Sequence, residues 1–197
     1  MTLIPWFTDL KKETFPDRPW LILGKGPTFD SYKMYSEDTF NVLALNHVGY
    51  LIPSSQITLF VDFDVYLRDQ IKSRFVLGPQ HPHICFKASI QVLHELVKNP
   101  PSNLFQYRLS TWKCYREKLN PHPSPLIKAK YFCAEAAFQI LGHFGIKQIF
   151  SLGVDGGTKY SKVFKQKPLT NGQSNFDKQF EEIENTCKRF NIEWIKL

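Results

Sequence analysis

The chain has 197 residues, 43% of them hydrophobic and 22% charged, which is enough for one domain with a proper core and too little for two. No run of about 18 apolar residues occurs, so a helical membrane span is excluded, and Met1-Thr2-Leu3-Ile4-Pro5-Trp6 lacks the basic start and long apolar stretch of a signal peptide. A net charge of +7 and a pI near 9.2 point to an anionic ligand such as a nucleotide, a phosphosugar, nucleic acid or an acidic lipid. The four cysteines, Cys85, Cys114, Cys133 and Cys187, are widely spread without a C-x-x-C pair, and read as reduced thiols of a cytoplasmic protein.

In chain order, residues 1–18 mix apolar, Lys and Pro residues and read as a lead-in arm laid across the surface. Trp20-Leu21-Ile22-Leu23 is a buried-type strand that stops at Gly24-Lys25-Gly26-Pro27-Thr28. Residues 31–38 are polar, a short helix or turn. Two further apolar strands follow, over 40–45 and 57–62, ending at Asn46 and Asp62. Residues 65–74 have helical spacing. The stretch 75–128 is irregular, with strand candidates at 75–77, 84–86 and 104–109, a helix candidate at 88–98, and Asn120-Pro121-His122-Pro123-Ser124-Pro125 as a lid candidate. Phe132, Ala136, Ile140 and Phe144 recur every fourth residue, so 131–144 is a helix, stopped by Gly145. A central strand over 147–152 leads into Gly153-Val154-Asp155-Gly156-Gly157. A polar loop carrying Lys159, Lys162, Lys165 and Lys167 comes next. A second amphipathic helix over 175–190, striped by Phe176, Phe180, Ile183, Cys187 and Phe190, precedes a last strand over 192–197. The sum is a single α/β domain over 1–197, Rossmann-like, with a mainly parallel sheet and helices on both faces.

Parallel strands joined by right-handed crossovers bring their carboxyl ends to one edge, and ligands of open α/β sheets bind there. Gly24 to Thr28, Asn46 and Asp155 are therefore expected to line one cleft. Glycines allow backbone N–H groups close to a phosphate, but Gly24-Lys25-Gly26-Pro27-Thr28 has neither the Walker spacing nor the dinucleotide fingerprint, so a ligand loop and a tight turn both stay open. Asn46 suits a base or sugar as well as it suits a turn. Asp62 and Asp64 suit ribose hydroxyls, Mg²⁺ or a helix cap, and Asp155 suits a ligand or an Asp-Gly turn. His81, His83 and His122 lie in proline-containing loops whose spacing identifies no zinc partners, so no metal ligand is assigned. His47 follows Asn46 at the same rim.

As an ordered set, Leu23-Gly24-Lys25-Gly26-Pro27-Thr28, the strand ending Ala44-Leu45-Asn46, the helix and glycine over 133–145 and the strand-Gly-Val-Asp over 149–155 resemble the bacterial sialyltransferases of glycosyltransferase family forty-two. They also resemble the related motility accessory factors and archaeal hydroxymethylpterin diphosphokinases. The likeness covers about 19–66 and 128–197. The sialyltransferase resemblance implies a Rossmann-like transferase, needing no metal or other cofactor, that takes a CMP-sugar-like donor and passes the sugar to an acceptor. Gly24, Lys25, Gly26, Thr28, Asn46 and Asp62 would then form the nucleotide side, with Gly153 and Asp155 across the cleft. Tyr160 matches the tyrosines that the family uses on the departing phosphate. The same resemblance implies a nucleotide or nucleotide sugar as partner, no nucleic acid, and a homo-oligomer.

Two departures bear on mechanism. The family's second nucleotide-binding Asn falls on Asp62, and its catalytic His, in a Gly-His-Ser setting, falls on Gly172-Gln173-Ser174. Glutamine takes no proton at neutral pH, so the base must lie elsewhere, at His47, His122 or Asp155, or be lost. The catalytic set is accordingly Asp155, Tyr160, Gln173 and His47. The alternatives are a diphosphokinase-like enzyme using ATP and Mg²⁺, held by Asp62 and Asp155, and a catalytically silent nucleotide- or sugar-binding module.

Overall fold

A computed structural model describes residues 4–35, 38–61, 72–79, 101–110, 124–165 and 173–197. Eight strands form one parallel sheet: β1 Trp20–Leu23, β2 Asn41–Leu45, β3 Ile57–Leu59, β4 Phe75–Pro79, β5 Leu104–Ser110, β6 Leu126–Lys128, β7 Gln148–Leu152 and β8 Glu193–Lys196. Their order across the sheet is β6-β5-β4-β3-β2-β1-β7-β8. Every neighbouring pair is parallel, from Trp20 beside Asn41 in the centre to Ile149 beside Trp194 near one edge. A sheet this parallel must be covered on both faces, and the sequence obliges: Trp20 to Leu23 and Asn41 to Leu45 are buried without a break.

Among the described residues the helices are α1 Val48–Leu51, α2 Cys133–His143 and α3 Gln179–Phe190. One face of the sheet carries the larger core, in which Ile22, Leu43, Ile57 and Leu77 meet Ala137, Phe138 and Leu141 of α2. On the other face Leu21, Leu23, Val42 and Ala44 pack with Phe29 and Val48, the first from a 3-10 helix over Pro27–Met34 and the second from α1. Each fully buried Leu, Ile or Phe contributes roughly 1.5–3 kcal/mol relative to exposure. α2 is buried all round, from Cys133 through Gly142, because α3 lies over it. α3 is correspondingly one-sided, burying Gln179, Ile183 and Thr186, with Glu181 and Glu182 in its first turn and Lys188 and Arg189 in its last.

Glu135 fixes where α2 begins. Its carboxylate accepts the backbone N–H groups of Lys130 (2.6 Å), Tyr131 (3.1 Å) and Phe132 (2.9 Å), which would otherwise be left without partners at the helix start. Burial pushes its pKa up to about 7, against the pull of those three donors.

Three expectations meet corrections. The arm over 1–18 is not laid on the surface: Phe7, Leu10 and Phe15 are buried in the larger core, and Gln106 of β5 holds the chain by donating its backbone N–H to Pro5 O (2.8 Å) and its Nε2 to Ile4 O (2.7 Å). The stretch 75–128 is not irregular throughout, since it supplies β4, β5 and β6. The second amphipathic helix starts at Gln179 rather than at 175, because Asn175 Oδ1 accepts the Asp177 N–H (3.1 Å) and closes a turn first. The helix candidate over 65–74 lies outside the described residues up to 71, and its last three residues, 72–74, are not helical. The helix candidate over 88–98, the strand at 84–86, and Asp62, Asp64, His81, His83, Cys85, Cys114 and His122 lie outside the described residues.

Candidate functional site

The chain builds the sheet outward from β1 through β2 to β6 in one direction, then returns to lay β7 and β8 on β1's other side. β1 and β7 therefore flank the point where strand order reverses, and their carboxyl ends open a crevice there. Two glycines make the crevice walls touch. Gly24 donates its N–H to Leu152 O (2.8 Å) and Gly26 to Gly153 O (2.8 Å). A Cβ on Gly24 would run into the Gly153 carbonyl, and one on Gly153 into the Gly24 carbonyl. Gly153 also has φ +70°, the left-handed region that side chains resist.

Asp155 fastens the two strand ends. One carboxylate oxygen accepts the Thr28 N–H at 2.8 Å, and the Thr28 hydroxyl donates at 2.9 Å to the other. Thr28 Oγ1 in turn accepts the Gly153 N–H at 2.7 Å. Asp155 thus sits at the start of the 3-10 helix Pro27–Met34, where a carboxylate is favoured.

The loop after Gly157 folds back on the same structure. Ser161 donates its N–H to Lys25 O (2.7 Å) and its hydroxyl to Asp30, and Phe164 packs on Phe29. The stretch 158–165 is thereby held down on the glycine loop, while Lys159, Lys162 and Lys165 remain exposed.

The resulting cleft is concave and partly open to solvent. Gly24, Lys25, Gly26 and Asn46 line it on one side of the chain order, with Gly153, Asp155 and Tyr160 on the other. Phe132, Cys133 and Phe176 complete an apolar wall, in which Phe176 lies 5.0 Å from Phe132 and 5.4 Å from Tyr160. Lys25 Nζ stands 4.7 Å from the Tyr160 ring centre. Asn46 is held at φ 52°, and its Oδ1 is buried without a hydrogen-bond partner among the described residues. Burial raises the pKa of the Tyr160 hydroxyl and pushes the Cys133 thiol far up, so both are protonated at neutral pH.

Of the residues singled out in the sequence, the cleft gathers Gly24, Lys25, Gly26, Asn46, Gly153, Asp155 and Tyr160. Thr28 stands behind it, joined through Asp155. His47 opens α1 and does not line the cleft. Gln173 is half-buried ahead of α3 and is not among the residues that line it. The sequence reading missed Phe132 and Phe176 as cleft residues, assigning both to helical stripes, and missed Gln179, whose Nε2 donates to Asp155 O (3.0 Å). The available signal was position: each Phe lies just ahead of a helix start, where chain from the sheet rim enters the helix.

Among the described residues no three His, Cys, Asp or Glu side chains gather as a metal site, and no helix is long and apolar enough to cross a membrane.

The sequence matches no family model, and no curated protein matches it. Solved structures do match. The monofunctional α-2,3-sialyltransferase Cst-I from Campylobacter jejuni superposes with a TM-score of 0.57 at 12% identity, over 91% of this chain and 75% of that one. The sialyltransferase CST-II in complex with a trisaccharide acceptor and CMP gives a TM-score of 0.53 at 12% identity, over 91% and 81%. The C. jejuni enzyme CstII in complex with the substrate analogue CMP-3FNeuAc gives 0.51, with the same identity and coverage. What the chain shares with them is the fold. It is a Rossmann-like α/β domain, the fold class expected from the sequence. Nothing in these comparisons supports the likeness to motility accessory factors or diphosphokinases.

Proposed function

We propose that the protein is a cytoplasmic CMP-sugar-dependent glycosyltransferase, with the nucleotide seated between the glycine loop after β1 and the Gly153–Asp155 turn after β7. The observation that carries the reading is Asn46. An amide oxygen buried without a partner costs about 1–3 kcal/mol, yet it lines the cleft at the strand-order reversal. A cytosine amino group or a ribose hydroxyl would satisfy it. The fold shared with enzymes solved with CMP and with CMP-3FNeuAc supports that choice of nucleotide.

In this reading Gly24 and Gly26 admit the ligand close to the backbone, and Tyr160, protonated, offers a hydroxyl proton to an oxygen of the leaving phosphate. Bond breaking places a negative charge on that phosphate, so a donor there favours the transition state over the ground state. Asp155, through Thr28, acts by holding the two strand ends together. Among the described cleft residues no histidine is available as a general base, and acceptor activation by a residue outside this set is part of the proposal.

Thermal shift with parallel ligands tests it. CMP and a CMP-sugar should raise the melting temperature, whereas UDP-sugars and ATP with Mg²⁺ should leave it unchanged. At 100 times its dissociation constant a ligand stabilises by about 2.7 kcal/mol. A shift with ATP and Mg²⁺ alone would overturn the reading. Turnover is then read as CMP release from the donor, with and without saccharide acceptors.

A further inference from the structure

We infer that Lys25 is the anion subsite of the cleft, taking the phosphate of the bound nucleotide as a charge-assisted hydrogen-bond donor; the inference rests on the nucleotide reading above.

The position argues for it first. Lys25 lies between two glycines whose N–H groups are spent on Leu152 O and Gly153 O. Those donors are the ones a phosphate cradle would use, and Pro27 supplies none. Those two N–H groups are turned to the β7 end rather than to a ligand, and Lys25 is the cationic side chain of this loop at the cleft.

The placement of the ammonium argues for it second. Nζ stands over the face of Tyr160 at 4.7 Å, and both residues line the cleft. The ring holds the cation within the cavity rather than letting it extend into solvent. The Lys25 charge reaches Cys133, a further lining residue, where it opposes the effect of burial on the thiol. The ammonium stands in a cleft whose wall of Phe132 and Phe176 lowers the local dielectric.

The neighbouring carboxylate argues third. Asp155 shares the cleft, but Thr28 takes both of its oxygens. Its charge is directed at the start of the 3-10 helix over Pro27–Met34. An anionic ligand can approach Lys25 with Asp155 already engaged. The backbone under Lys25 is also fixed independently, since its carbonyl accepts the Ser161 N–H at 2.7 Å. Changing the side chain leaves that anchor intact.

The experiment compares cytidine with CMP by titration calorimetry on wild type, Lys25→Met and Lys25→Arg, with melting curves to check folding. CMP should bind wild type at least tenfold more tightly than cytidine. Lys25→Met should weaken CMP by about ten- to hundredfold and leave cytidine within about twofold. It should also flatten the salt dependence of CMP binding. Lys25→Arg keeps the charge and should stay within a few-fold of wild type. Equal affinity for CMP and cytidine overturns the subsite while leaving the nucleoside reading intact. Equal losses of both ligands in Lys25→Met assign the lysine a structural role and also overturn it. If neither ligand binds wild type, the CMP reading itself fails. The subsite is then decided with inorganic phosphate, whose ³¹P line should broaden with wild type and not with Lys25→Met. No broadening with wild type overturns it.

Discussion

Asp155 accepts two hydrogen bonds from Thr28, one from its N–H at 2.8 Å and one from its hydroxyl at 2.9 Å, across a sequence separation of 127. The pair closes the strand-order reversal from behind, and the Thr28 hydroxyl completes it by accepting the Gly153 N–H. Asp155→Ala leaves the Thr28 donors without partners, and Thr28→Val leaves the Gly153 N–H without one. Each should cost about 1–3 kcal/mol in urea unfolding. The double variant should cost less than the two singles together, by about 0.5–3 kcal/mol. Strict additivity would mean that the two side chains do not act on each other.

The glycine contact gives a ranking. Gly153→Ala meets both the Gly24 carbonyl and a φ of +70°, whereas Gly145→Ala meets only a φ of +77°, with no atom within 4 Å of its Cβ. Gly145→Ala should cost about 1–2 kcal/mol, the left-handed penalty alone. Gly153→Ala should exceed it by about 1–3 kcal/mol of overpacking against backbone, which does not yield as a side chain does. Equal losses would remove the close approach from the account of the cleft.

Glu135 gives the molecule a pH dependence of definite sign. Its folded pKa is raised to about 7 from the ordinary carboxylate value, with burial as the leading cause. The folded state therefore binds this proton more tightly than the unfolded chain does. The stability it contributes is fully present below about pH 4.3 and is lost as pH rises through about 7. His143 works the other way: burial and Arg189 lower its pKa, so it costs stability as pH falls below about 6.5. Comparing wild type with Glu135→Gln cancels His143, which both carry. Unfolding free energies measured from pH 4.5 to 8 should show a falling component in wild type, on the order of 3 kcal/mol, that is missing in Glu135→Gln. Parallel pH profiles would assign the raised pKa to another group.

The centre of the sheet was legible because β1, β2, β3 and β7 are apolar runs that stop abruptly at glycine or a polar residue, and burial on both faces demands that pattern. Their shared rim followed from topology. The flank was harder. β6 has three residues, too little pattern to read as strand, and β4 runs two residues past the 75–77 candidate, through Gly78 and Pro79. The arm looked like surface because Phe7, Leu10 and Phe15 are interleaved with Lys11, Lys12 and Glu13. Two 3-10 turns, Phe7–Asp9 and Lys12–Thr14, turn the aromatics inward. Phe132 and Phe176 kept the four-residue spacing of the helices they precede, so periodicity assigned them to the core while position put them in the cleft. Asp155 was visible as a site carboxylate, but its partner Thr28 was not visible as its partner, because nothing local links residues so far apart.

Asn46 supplies the sharpest test of whether the cleft is kept for a ligand at a cost to stability. Its φ of 52° is one that asparagine tolerates, but its Oδ1 is buried without a partner among the described residues, which is unfavourable. Asn46→Gly accepts that φ without strain and removes the stranded oxygen. Relief of the buried acceptor contributes about 1–3 kcal/mol, against a glycine entropy cost of about 0.5–1 kcal/mol. The variant should therefore melt at or above wild type while binding cytidine and CMP at least tenfold more weakly. Because the change acts on the nucleoside rather than the phosphate, both ligands should weaken by the same factor, unlike the pattern expected for Lys25→Met. A variant that melts lower and binds CMP as wild type does would make Asn46 a turn residue, and the nucleotide would have to be placed elsewhere.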